Sequence, residues 1–324
     1  MKRRTLFALS IIAAFGFTAT AYAQAAYPER PITMIVPSAP GGTTDFTARL
    51  ISDQLGKALG QPVVVDNKPG GAGNIGNQLV ARAKPDGHTL LLAYSGYQVG
   101  NPHLFKTAGW DPIKDFTAVA MVTRAPQVLV ASKSFPANNM QELVAYARAN
   151  PGKVNFASSG NGSIQHIAGE LLQQVTKTVM THVPYKGAGP AVTDLLSGTV
   201  DLFITTPASV VSHIKAGNLK AFAVTGESRL PSLSNVPTAS EAGLNNYKLD
   251  SWFAVYAPSG TPDPIVQKLN REIGKILAMP EIRKRAEESG TAVETMSPAQ
   301  LNAYTRKELD FWGNVIRSAK ITLD

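Results

Sequence analysis

Cysteine is absent from all 324 residues. That excludes a disulfide framework, a thiolate nucleophile and any cysteine-based metal site, even in an oxidising compartment. Histidine is scarce, and the five residues at 88, 103, 166, 182 and 213 never fall into H-E-x-x-H spacing. No G-x-S-x-G elbow and no G-x-x-x-x-G-K-[ST] phosphate loop occurs. Neither metal nor cofactor is therefore expected, and hydrolytic or nucleotide-driven chemistry finds no support. Long apolar runs are missing as well. The most apolar stretch, Leu6–Phe17, is too short to span a bilayer.

That stretch follows Lys2, Arg3 and Arg4 and precedes Ala21-Tyr22-Ala23. A basic start, a short apolar segment and an A-x-A site read as a secretory signal peptide over residues 1–23, with the mature chain beginning at Gln24 in the periplasm. The formal charge of +8 includes the three leader cations, so the mature chain carries 28 basic and 23 acidic residues, a net +5. The basic residues are spread thinly, which argues against a nucleic-acid groove and suits small anionic ligands.

What the chain does contain is a repeated rhythm. Short apolar runs (Ile32–Val36, Val63–Val65, Leu90–Ala93) read as buried parallel strands, with helices at Thr44–Leu59 and Ile75–Ala83 between them. The rhythm continues through Val119–Val122, Gln127–Ala131, Met140–Ala149, Val154–Ala157, Ser163–Val175, Thr181–Val183, Ala188–Leu196, Leu202–Thr205 and Ala221–Val224. Such βαβ alternation predicts an α/β fold. After Trp252–Tyr256 the pattern turns helical, with Thr261 a candidate N-cap and Pro262 the first helical residue. Boundaries beside Pro126 and Ser251 predict two lobes, 27–125 with 252–324 and 126–251, with a ligand cleft between them.

Three loops follow strands and open helices: "PSAPGGTTD" (Pro37–Asp45), "NKPGGAGNIG" (Asn67–Gly76) and "SSGNGSIQH" (Ser158–His166). Glycines let several N–H groups converge on one point, and a helix N-terminus adds positive potential. Each loop alone reads equally well as a tight βα turn; three alike favour anion binding. The formal G-x-G-x-x-G at Gly71–Gly76 lacks the acid expected about 20 residues on, which argues against a dinucleotide site. Ser163 and His166 share a helix face, but nothing near them in sequence orients a base. Asp45 in a first turn offsets the helix dipole or faces the ligand, and Asp201 caps a turn or lines the cleft.

These loops carry a resemblance to the tripartite tricarboxylate transporter substrate-binding family, the Bug-type extracytoplasmic receptors. It runs through "YPERPITMIVPSAPGGTTD", "GQPVVVDNKPGGAGNIG", "KPDGHTLLLA", "FASSGNGSIQHIAGELL", "VPYKGAGPAVTDLLSGTVDLFI", "VPTASEAGL", "APSGTPDPIVQKLN" and "FWGNVIRSAKITLD". The resemblance implies a two-lobed periplasmic-binding-protein fold of two Rossmann-like lobes that close on a small carboxylate or amino acid. Carried over, Ser38, Gly41, Gly42, Thr43, Thr44 and Asp45 form one half of a carboxylate clamp. Ser158, Ser159, Gly160, Gly162, Ser163 and His166 form the other half. Ser38-Ala39-Pro40 departs from the Phe-led version of many members while keeping the glycine pair. Ser95, Tyr97, Tyr185 and Lys186 are expected to border the ligand, Lys186 either at a distal charge or as a solvated lysine. The implied partners are a carboxylate ligand and membrane permease subunits, with the receptor a monomer. A receptor signalling to a membrane sensor and an exported hydrolase are the competing readings.

Overall fold

The computed structural model describes residues 27–245 and 247–318; the expected leader at 1–23 lies outside them. The chain starts with β1 (Ile32–Val36), α1 (Thr43–Leu59), β2 (Val63–Asn67), α2 (Asn74–Ala81), β3 (Thr89–Tyr94), α3 (Asn101–Leu104) and β4 (Phe116–Pro126). It continues with β5 (Val128–Ser132), α4 (Met140–Ala149), β6 (Asn155–Ser158), α5 (Ile164–Thr176), β7 (Thr181–Pro184) and α6 (Ala188–Ser197). Next come β8 (Leu202–Thr205), α7 (Val211–Lys215) and β9 (Leu219–Val224). The chain then returns through β10 (Asp250–Pro258), α8 (Asp263–Ala278), α9 (Pro280–Glu288), β11 (Ala292–Val293) and α10 (Pro298–Ser318).

The strands form two sheets, ordered β11-β4-β10-β3-β1-β2 and β7-β6-β8-β5-β9. Each is the centre of one lobe of an α/β fold. Strand alternation builds the first core. Ile32, Met34 and Val36 point to one face, where they pack with Leu50, Ile51 and Leu55 of α1 and with the apolar stripe Val266, Leu269 and Ile273 of α8. Ile35 and Leu91 point to the opposite face and join a cluster with Tyr97, Val99 and Trp312. Each such side chain contributes about 1.5–3 kcal/mol by leaving water.

Not every apolar run is a buried parallel strand. β1 pairs in parallel with β2 and β3, but β10 runs antiparallel to β3 and β4, and β5 antiparallel to β8 and β9. These antiparallel strands are the ones that carry the chain into and out of the second lobe. β2 lies at a sheet edge with Val64 52% exposed, a correction to the buried strand expected there. α8 starts at Asp263 with Pro262 as its cap, and the Thr261 hydroxyl donates instead to the Pro258 carbonyl. Between the sheets the crossing segments are tied by buried polar groups. The Gln127 N–H donates to Thr225 Oγ1, the Thr225 hydroxyl to the Leu249 carbonyl, and Gln127 Nε2 to Ser251 Oγ.

Candidate binding site

The first loop leaves β1 and turns at Gly41, whose φ of +84° favours glycine. Gly42 follows in extended conformation as the N-cap of α1. A glycine cap has no side chain to accept the first-turn amides, and the first intrahelical bond is Phe46 N–H to the Gly42 carbonyl. The N–H groups of Thr43, Thr44 and Asp45 are thus the orphan donors of this helix. Beside them the Ser38 hydroxyl is buried without a hydrogen-bond partner. Asn67 Nδ2 donates to the Ser38 carbonyl and pins the loop. The Asp45 carboxylate is already engaged. It accepts from the Gly41 N–H at 3.2 Å and pairs with Arg49 Nε at 3.1 Å, so it braces the turn and does not line the cavity between the lobes.

The second-lobe loop is mostly self-satisfied. Ser158 Oγ accepts from the Gly160 N–H at 3.1 Å, and Ser163 caps α5 by accepting from the His166 N–H. The Gly162 N–H donates to His166 Nδ1 at 3.2 Å. Ser158, Gly160, Gly162, Ser163 and His166 therefore shape the loop, and Ser159 and Gln165 are the residues it presents to the cleft. The middle glycine loop contributes no residue to the cavity between the lobes. It is a support: a Cβ on Gly76 would lie 2.8 Å from Pro37 Cα, and Asn101 Nδ2 donates to the Ala72 carbonyl. Two of the three loops thus line the cavity.

The lobes meet across the cleft. The Tyr94 hydroxyl accepts the Ile164 N–H at 3.1 Å and donates to Gln165 Oε1 at 2.7 Å. The Tyr97 hydroxyl donates to the Ser159 carbonyl at 2.7 Å, and the Ala39 N–H to the Lys186 carbonyl at 3.1 Å. The Thr43 hydroxyl bonds that of Thr206 and lies 3.2 Å from Ser209 Oγ. These contacts enclose a narrow cavity of about 10 Å³. Ser38, Gly42, Thr43, Thr44, Tyr94, Tyr97 and Phe253 line it from the first lobe; Ser159, Gln165, Ala188 and Thr206 line it from the second. None of these side chains carries a formal charge, so an anion here meets only amide and hydroxyl dipoles.

Other expected residues stand apart. Ser95 Oγ is buried and accepts the Trp252 N–H at 3.1 Å, fixing the crossing strand. The Tyr185 hydroxyl donates to Asp194 Oδ2 at 2.7 Å, and the Lys186 side chain is exposed. Asp201 precedes β8 at the end away from Thr206, and its Oδ2 accepts the Asn155 N–H. It is a turn tie, because the cleft lies at the other end of that strand. Tyr94, Gln165, Ala188, Thr206 and Phe253 were not foreseen. Tyr94 and Thr206 had a signal: each is a polar residue at the C-terminal end of an apolar strand, where open α/β sheets place ligands.

A profile of the tripartite tricarboxylate transporter family receptor matches residues 47–321. The periplasmic binding protein BugD shares 36% identity at a TM-score of 0.88, over 92% of this chain and 100% of that one. Rpa4515 of R. palustris, solved with adipate, shares 36% identity at a TM-score of 0.89 over the same 92% and 100%. MatC from Rhodopseudomonas palustris, with bound malate, shares 36% at 0.86, covering 90% and 100%. The chain therefore belongs to the tripartite tricarboxylate transporter receptor family of solute-binding proteins.

Proposed function

We propose that this protein captures a small aliphatic carboxylate, a dicarboxylate first among them, and delivers it to the permease of a tripartite transporter. The observation that carries this reading is the uncapped N-terminus of α1 beside the unpartnered Ser38 hydroxyl, facing a cavity with no charged side chain. A helix N-terminus favours negative charge, and the nearest carboxylate, Asp45, is already neutralised by Arg49. The hydroxyls on the cavity wall have no histidine or carboxylate beside them there, which suits holding a ligand and not attacking one. The malate and adipate complexes of relatives at 36% identity support the ligand class. In this reading residues 27–125 and 252–324 close against 126–251 as a monomer, in the periplasm, after loss of residues 1–23. Among the described residues, no helix is long and apolar enough to cross a membrane.

A thermal-shift panel of malate, adipate, aromatic acids and amino acids tests it. A ligand at about 100 times its Kd adds roughly 2.7 kcal/mol to the native state, a rise of several degrees in Tm for a chain of this size. No shift with any carboxylate would sink the proposal. For the leading compound, Ser38→Ala is expected to weaken binding by about 1–3 kcal/mol, since a charged acceptor loses one donor. Lys186→Ala, altering an exposed side chain, should change it by less than about 0.5 kcal/mol. Calorimetry giving the reverse order would move the anion away from the first loop.

A further inference from the structure

Behind the second-lobe loop two histidine rings lie face to face. His166 in the first turn of α5 and His182 in β7 have centroids 4.0 Å apart and planes 17° from parallel. Phe156 of β6 stacks on His182 at 5.0 Å. Neither histidine lines the cavity, yet both hold the loop that does. His166 Nδ1 accepts the Gly162 N–H, so that nitrogen carries no proton. His182 Nε2 lies 2.6 Å from Ser158 Oγ, which in turn accepts the Gly160 N–H. Ser159 sits between these anchors, lining the cavity with its carbonyl on the Tyr97 hydroxyl.

We propose that the stacked His166–His182 pair is a positioning device for ligand capture. While both rings are neutral they hold Ser159 in the closed cleft; proton uptake by His166 frees the Gly160–Gly162 turn and weakens carboxylate binding. The inference rests on the carboxylate reading above. A proton on His166 Nδ1 would face the Gly162 N–H donor to donor, and two cationic rings 4.0 Å apart repel. The groups facing the pair are Glu170 from α5, with Oε1 3.8 Å from His166 Nε2, and Phe156 and Ser158 from β6. Glu170 is partly exposed and too distant for a direct hydrogen bond, so it compensates incompletely. Burial pushes His166 down to about 4, and burial together with the His166 charge pushes His182 to about 3. Groups lowered in this way are protonated more readily when the loop is released. The ordered loop is therefore fully stable above the ordinary value of 6.5 and loses stability as pH falls from there towards 4.

Calorimetry on the full chain with malate and adipate as probes, at pH 7.5 and pH 4.5, tests this. His166→Asn keeps an acceptor near the Nδ1 position and cannot take up a proton; His166→Leu has no acceptor. Between the two pH values the parent should lose at least about fivefold more affinity than His166→Asn. His166→Leu should be weaker by about tenfold already at pH 7.5. Protonation of the probes is common to all three proteins and cancels in the comparison. A second arm needs no ligand: nitrogen NMR follows the His166 ring and the Gly162 amide, which should titrate with one midpoint below pH 6. Equal pH dependence in the parent and His166→Asn overturns the proposal, as does a Gly162 amide that stays still while His166 protonates. If no protein binds either probe at pH 7.5, the preference for these dicarboxylates fails, and the ligand-free arm still decides the histidine proposal.

Discussion

Replacing Gly189 with alanine is expected to give a protein at least as stable as the parent that no longer captures its ligand. Gly189 is the second residue of α6, with a backbone that alanine also adopts, and glycine-to-alanine changes inside helices gain up to about 1 kcal/mol. In the closed molecule, however, a Cβ there would collide with the Pro40 carbonyl oxygen of the opposite lobe. That oxygen belongs to the backbone and cannot swing aside like a side chain. Its neighbour Ala39 is itself bonded across the cleft to the Lys186 carbonyl. Overpacking of this kind costs about 1–3 kcal/mol or more, and here the whole cost falls on the closed state. Affinity should drop by roughly 10- to 100-fold while the ligand-free Tm holds or rises. Melting curves and calorimetry on the same preparation separate the two effects. Parent-like binding would mean that capture does not require the lobes to meet at this contact.

The fold was readable where one local signal decided it. α1 was expected at Thr44–Leu59 and spans Thr43–Leu59, because a glycine cap, a first-turn acid and an apolar stripe agree. Strand direction was not readable, since an apolar run such as Val128–Ala131 looks the same parallel or antiparallel; only the crossing between sheets sets it. Val63–Val65 misled because its valines carry no sign of an edge, and Val64 faces solvent there. In the site, glycine and hydroxyl spacing located the loops. It did not reveal which polar groups are consumed inside them. Asp45 was the exception that a closer reading resolves, because Arg49 four residues on is its natural partner. Ser158 and His166 were not resolvable that way, since their partner or stacking neighbour His182 lies on another strand. Tyr94 and Thr206 were marked only by their place at the ends of apolar strands, and Phe253 reaches the cavity through sheet topology, which no local pattern encodes.

The two tyrosines allow the closure itself to be measured. Tyr94 and Tyr97 are buried, set edge to face at 4.9 Å, and Phe253 stacks on Tyr94 at 5.6 Å. Changing both to phenylalanine preserves that packing and removes only the hydroxyls. In the closed form three interlobe hydrogen bonds vanish, and the buried Ile164 amide loses its acceptor. In an open form the same groups would be hydrated, so nothing is lost there. At about 1 kcal/mol per bond the closed state is disfavoured by about 3 kcal/mol, which corresponds to roughly 100-fold weaker ligand binding. Burial raises both phenols above their ordinary value, so these donors stay protonated and the effect should be independent of pH, unlike that of the histidine pair. The double variant should also have a larger ligand-free radius of gyration in solution scattering. Trp252, whose N–H meets Ser95 beside the crossing strands, should show altered emission. Binding shifts the balance only through contacts that differ between the two forms, so excess ligand should return the variant to the parent's compact profile. Unchanged affinity together with an unchanged scattering profile would show that the tyrosines do not hold the lobes shut and that the ligand enters a preformed pocket.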